Sequence, residues 1–227
     1  MSEHNAPASA TGLSPQYHVA HHFDSADQQF ESNRMGVWLF LVTEILFFGG
    51  LFCAFAVFRS WYLPGFLEAH HHLDKVMGAI NTLVLISSSL TMALAVRSAQ
   101  VSNKKATTAL LAFTILCAFA FLVVKYFEYH HKFVEGLLPG GNFHAEGFEF
   151  PHQASIFFAV YFMMTGVHGL HVIIGIGLIT WILIKNEKGQ FSSRYYSPVE
   201  NVGLYWHLVD LVWIYLFPLL YLVGGDK

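Results

Sequence analysis

The residues able to do chemistry in this sequence are a few carboxylates and histidines set in strongly apolar surroundings. Glu44 stands in WLFLVTEILFF, the one charged residue between Arg34 and Arg59. His168 and His171 lie in TGVHGLHVIIG, His207 and Asp210 in YWHLVDLVWIYLF, and Lys125 and Glu128 in KYFEYHH. An ionised carboxylate at the centre of a membrane helix costs at least about 2.5 kcal/mol. Glu44 must therefore be neutralised or meet a polar partner, either in a proton-linked or interface role or in a hydrogen bond that only fixes helix packing. His168 and His171, at i and i+3, share a helical face with Thr165 and Gly175. Haem or metal ligation is the sharpest chemistry for that pair. Yet only these two and His207 fall inside apolar stretches, too few to hold two haems between paired helices. One metal on all three, with Asp210 as a fourth ligand, is the remaining metal reading, and interhelical hydrogen bonding is favoured over it.

The other polar residues have simpler expectations. Asp210 follows His207 by three positions and Trp206 by four, which predicts one patch of acid, imidazole and indole that neutralises itself. Lys125 and Glu128 predict an i,i+3 pair at the interfacial end of their helix. The run His70-His71-His72 reads as solvated surface, with zinc binding as its sharper alternative. Asn81, Thr82, Ser87, Ser88 and Ser89 read as helix-packing surface, and Cys53 and Cys117 as small packed hydrophobes.

These residues need long apolar helices to position them. Of 227 residues, 55% are hydrophobic and 12% charged, and the mean hydropathy is +0.48. Such a balance belongs in a bilayer. Five stretches, 35–58, 76–96, 106–124, 154–184 and 202–223, suffice to cross a hydrocarbon core of roughly 30 Å, which takes about 20 helical residues. The predicted fold class is all-α, a polytopic membrane protein built as a bundle of five transmembrane helices. Residues 1–33 form a polar cytoplasmic tail and residues 34–227 the bundle. The tail lacks the basic start and apolar run of a secretory signal. Glu44, tenth in its stretch, falls about 14 Å into the membrane. The segment 129–151, with Pro139, Gly140 and Gly141, is expected to be an outer loop.

Arg34, Arg97, Lys104, Lys105, Lys185, Lys188 and Arg194 fall on one side of the membrane, and Arg59, Lys75, Lys125, Lys132 and Lys227 on the other. The excess places the N-terminus in the cytoplasm and the C-terminus outside. A net charge of −3 provides no basic footprint for nucleic acid, which is excluded as a partner.

The stretches RMGVWLFLVTEILFFGGLFCAF, TGVHGLHVIIG and YWHLVDLVWIYLF, supported by INTLVLISSSLT and KYFEYHH, resemble cytochrome c oxidase subunit III, in its five-helix bacterial form. The resemblance covers Arg34 to the C-terminus. It implies a subunit of the bacterial plasma membrane with no catalytic residue and no haem or copper of its own. These cofactors would lie in partner subunits, with this chain packed against the catalytic oxidase subunit I, other oxidase subunits and membrane phospholipid. Its role would be to support oxygen reduction and proton uptake. Glu44 matches the family's membrane-buried carboxylate and Glu128 its following acidic residue, as proton-linked or interface groups. His168, His171, Trp206, His207 and Asp210 match its motif positions, which with Trp38 hold helix packing and the lipid interface. In the seven-helix form, lipid fills a cleft between the first two helices and the other five. The helices preceding RMGVWLF have no counterpart here, so that cleft is expected to be open or completed by another subunit. A quinol oxidase or nitric oxide reductase subunit is the near alternative. An independent proton-linked transporter is the distant one, opposed by the lack of a repeat and of paired broken helices.

Overall fold

The start of each long helix is written in its capping residues. In the computed structural model, which describes residues 24–222 except 141, 142, 144–146 and 194, Ser25 caps α1 (Ala26–Trp61), its hydroxyl accepting from the Gln28 N–H at 3.1 Å. Asp74 caps α3 (Lys75–Gln100) through bonds from the Val76 and Met77 N–H groups at 2.8 and 3.1 Å. Asn103 caps α4 (Lys104–Val134) through the Ala106 N–H at 3.2 Å. α5 (Pro151–Glu187) and α6 (Ser197–Phe217) instead carry proline in the first turn, where a missing N–H leaves nothing unsatisfied. The short α2 (Leu63–His70) supplies what α5 lacks. Its Glu68 carboxylate accepts from the Glu149 and Phe150 N–H groups at 2.6 and 3.1 Å.

Among the described residues, five helices are long and apolar enough to cross a membrane, as the sequence predicts. They outrun the apolar stretches that mark them, because the polar ends find partners beyond the hydrocarbon layer. α1 begins at Ala26, within the segment read as tail; residues 1–23 lie outside the described residues. Residues 129–134, expected in the outer loop, are the last turns of α4. Lys132 holds them there, donating to the His72 carbonyl and to Glu135. After α6 the chain widens into a π-helical turn, Pro218–Leu222.

α3 and α4 share the longest seam, and α6 closes the unit by packing on α3 and α5. Their core is aromatic: Trp206, Trp213, Tyr161, Tyr221 and Phe121 are all fully buried. α1 lies outside this four-helix unit against α5 and α6, burying Leu41, Phe48 and Phe55 and leaving Met35, Trp38, Leu39 and Leu46 exposed. An apolar outer face is what lipid requires, since chains of hydrocarbon are as apolar as leucine.

Candidate functional site

Glu44 reaches from α1 to α5, where its Oε2 lies 3.0 Å from Nε2 of His171. The other ring nitrogen, Nδ1, sits 2.8 Å from the Val167 carbonyl, and a carbonyl can only accept, so Nδ1 carries a hydrogen. Nε2 then either accepts from the acid form of Glu44 or donates to its carboxylate as an imidazolium. In both forms the pair holds one proton between its members and no net charge, which removes the cost of an isolated ion in the membrane. Tyr205 fixes the backbone beneath by donating to the His171 carbonyl at 3.0 Å. The pair forms the floor of an open groove of about 340 Å³ walled by Val37, Phe40, Ile174, Leu178 and Val202.

A second cluster joins α4, α5 and the π-helical turn. Lys125 donates to Glu128 Oε2 at 2.9 Å, to the Tyr221 hydroxyl at 3.0 Å and to the Tyr161 hydroxyl at 3.3 Å. All three ammonium donors are used. Both tyrosines in turn donate to Glu128 Oε1, at 2.8 and 2.5 Å. The ammonium also lies 4.9 to 5.6 Å from the ring centres of Trp213, Tyr161, Tyr129 and Tyr221. The expected i,i+3 pair is present, and it is buried inside the bundle, with side-chain exposures of 8% and 2%. α4 continues past Glu128, and the aromatic rings of α5 and the π-turn cover the pair. In the turn between α2 and α3, partial burial pushes the His72 imidazole below its ordinary 6.5, with Glu135 pulling the other way.

The last-helix motif faces α3. Trp206 donates its indole N–H to Ser88 at 3.1 Å, His207 Nδ1 lies 2.8 Å from the Ser89 hydroxyl, and Trp213 donates to Thr82 at 3.1 Å. The patch expected to neutralise itself is thus opened by α3, whose serines take the indole and the imidazole. Asp210 is left with neither carboxylate oxygen in a hydrogen bond. His168 and His171 also part company. The first is fully buried against Phe121 and Trp213, with ring centres 5.5 and 5.3 Å away, while the second turns to Glu44. The three intramembrane histidines therefore address three different neighbours and do not converge as a ligand set. Trp38 is half exposed on the outside of α1. Tyr161 and Tyr221 are the cluster members that sequence reasoning missed, because nothing local to either residue signals a lysine on another helix.

The arrangement is matched by the family model for cytochrome c oxidase subunit III over residues 17–225. The chain belongs to the cytochrome c oxidase subunit III family. Among relatives of this family, a cytochrome c oxidase subunit 3 from Alkalihalophilus pseudofirmus is 30% identical over 89% of this chain and 92% of its own length. A quinol oxidase subunit 3 from Bacillus subtilis is 31% identical over 91% of this chain and 97% of its own. A heme-copper oxidase subunit I+III from Aeropyrum pernix is 33% identical over 84% of this chain, which spans only 22% of that longer protein. In this cytochrome c oxidase subunit III, the Glu44–His171 pair and the Lys125–Glu128 cluster are, among the described residues, places where ionisable groups meet inside the apolar helices.

Proposed function

We propose that this chain is the accessory, non-catalytic subunit III of a proton-pumping haem-copper oxidase that takes its electrons from cytochrome c, in a bacterial plasma membrane, supporting oxygen reduction and proton uptake by a catalytic subunit I. The observation that carries this reading is the near full-length match to free-standing oxidase third subunits, together with a relative whose name joins subunits I and III in one protein. Haem and copper belong to the partner subunits. The groove above Glu44 and His171 suits phospholipid: its walls are apolar and its floor is a hydrogen-bonding pair at membrane depth. The lysine and arginine distribution supports a cytoplasmic N-terminus.

The quinol oxidase reading has its own support in the Bacillus subtilis relative, covered over nearly its whole length. One experiment addresses both. Purification in mild detergent through a tag on this chain is expected to yield a coloured complex with haem and copper that consumes oxygen. Activity with reduced cytochrome c, but not with a quinol, supports the main reading, and the reverse supports the other. Recovery of a colourless chain free of other subunits overturns both.

A further inference from the structure

Six buried polar atoms in the four-helix unit lack hydrogen-bond partners: both polar atoms of the Asn81 amide, both ring nitrogens of His168 and both carboxylate oxygens of Asp210. They come from three helices, and the helical repeat places them together. Ser88 on α3, Trp206 on α6 and Gly175 on α5 form one layer. The indole N–H of Trp206 bonds Ser88, and a Cβ on Gly175 would lie 2.6 Å from the indole ring. Asn81, Trp213 and His168 each stand seven residues from these, two turns or about 10 Å further toward the outer side. Trp213 bridges that second layer, stacked beside His168 at 5.3 Å and bonded to Thr82, the neighbour of Asn81. Asp210 follows Trp206 by four and precedes Trp213 by three, so it occupies the same face between the layers.

Asn81 and His168 are 0% exposed and Asp210 is 2% exposed. Bulk solvent therefore does not serve them. The neighbouring hydroxyls are committed: Ser88 donates to the Leu85 carbonyl while accepting from Trp206, and Ser89 bonds His207. Ser88 and Ser89 lie beside the Asp210 carboxyl, but their hydroxyls are turned to Leu85, Trp206 and His207 and neither meets a carboxylate oxygen with hydrogen-bond geometry. Lys125, the nearest cation to His168, has its donors spent on Glu128, Tyr161 and Tyr221. Buried polar groups in folded proteins are otherwise nearly always paired, and where no protein group serves, bound water does.

We propose that the core of the α3–α4–α5–α6 unit is a water-binding site, in which water bound between Asn81, His168 and Asp210 completes their hydrogen bonds. An amide, an imidazole and a carboxyl around such water make a site able to exchange protons inside an otherwise aromatic core. It is separate from the Glu44–His171 groove, and its existence rests on the fold alone, not on the functional assignment.

The test is radiolytic hydroxyl footprinting of the purified complex, in which bound water oxidises the side chains it touches. Phe121, against His168, and Phe158, packed among Phe143, Phe148 and Phe157, are the same residue type and both 0% exposed. The site predicts oxidation of Phe121 several-fold faster than Phe158. Equal rates in the unaltered complex overturn the proposal. Asn81→Leu is then expected to bring Phe121 down to the rate of Phe158 while leaving the exposed Tyr126 unchanged. An unaltered Phe121 rate in that variant, with the Tyr126 rate preserved, also overturns the assignment.

Discussion

Glu44 and Glu128 both sit inside apolar helices, and the chain neutralises them by different means. Glu44 shares one proton with His171 in a pair that borders an open groove. Glu128 meets a full ammonium, and every strong donor around it is turned inward. A fully satisfied buried pair adds little by itself to stability, but removing one partner strands a charge, which costs about 3–5 kcal/mol. Lys125→Met is therefore expected to lower the stability of the bundle by about that amount. The double variant Lys125→Met/Glu128→Leu strands no charge and leaves the Tyr161 and Tyr221 hydroxyls to each other, 3.4 Å apart, so it should cost clearly less than the sum of the single changes. Denaturation midpoints of the purified complex measure the cycle. Strict additivity would show that Lys125 and Glu128 are not a coupled pair.

The helices α3, α5 and α6 approach closely because small residues on one take large rings from another. Gly175 receives Trp206, and Gly78 receives Phe217, whose ring would lie 2.7 Å from an added Cβ. These two glycines are requirements of packing, because rings whose indole or neighbours are hydrogen-bonded cannot retreat far. Gly175→Ala is expected to destabilise by about 1–3 kcal/mol through overpacking. Gly166→Ala is the control, since its nearest neighbour, the Tyr129 hydroxyl, is 3.8 Å from the new atom. There the gain in helix propensity predicts no loss. A melting temperature for Gly175→Ala equal to that of Gly166→Ala contradicts this account of the seam. Helix number and type were legible in the sequence because apolar runs of membrane length have few other solutions. Helix ends were less so, as in α4 beyond Glu128, where Lys132 is held by a carbonyl of a distant turn. The pairing of Lys125 with Glu128 was readable from spacing, whereas the choice of Glu44 for His171, 127 positions away, depends on how α1 docks.

For the molecule as a whole, the uneven attachment of α1 is the main consequence of the fold. Only 17% of its most apolar window is buried, against 28% to 50% in the other four spans. The four-helix unit has the aromatic core and the interlocked glycines, while α1 buries three side chains, lays Leu51, Phe52 and Phe58 partly buried against the core and makes the Glu44–His171 bond. Local opening free energy follows such packing, so elements with few buried contacts open first. In the chain separated from its complex in detergent, amides of α1 are expected to exchange with deuterium faster than those of α4, whose helix is locked by Lys125 and Phe121. In the assembled oxidase the difference should shrink, because a neighbouring subunit or lipid that covers α1 stabilises only the docked state. His171→Ala should speed α1 exchange further and leave α4 unchanged, since it removes the polar tie of Glu44 to α5. Exchange in α1 as slow as in α4 for the separated chain would mean that α1 is held by the bundle itself and needs no partner to stay in place.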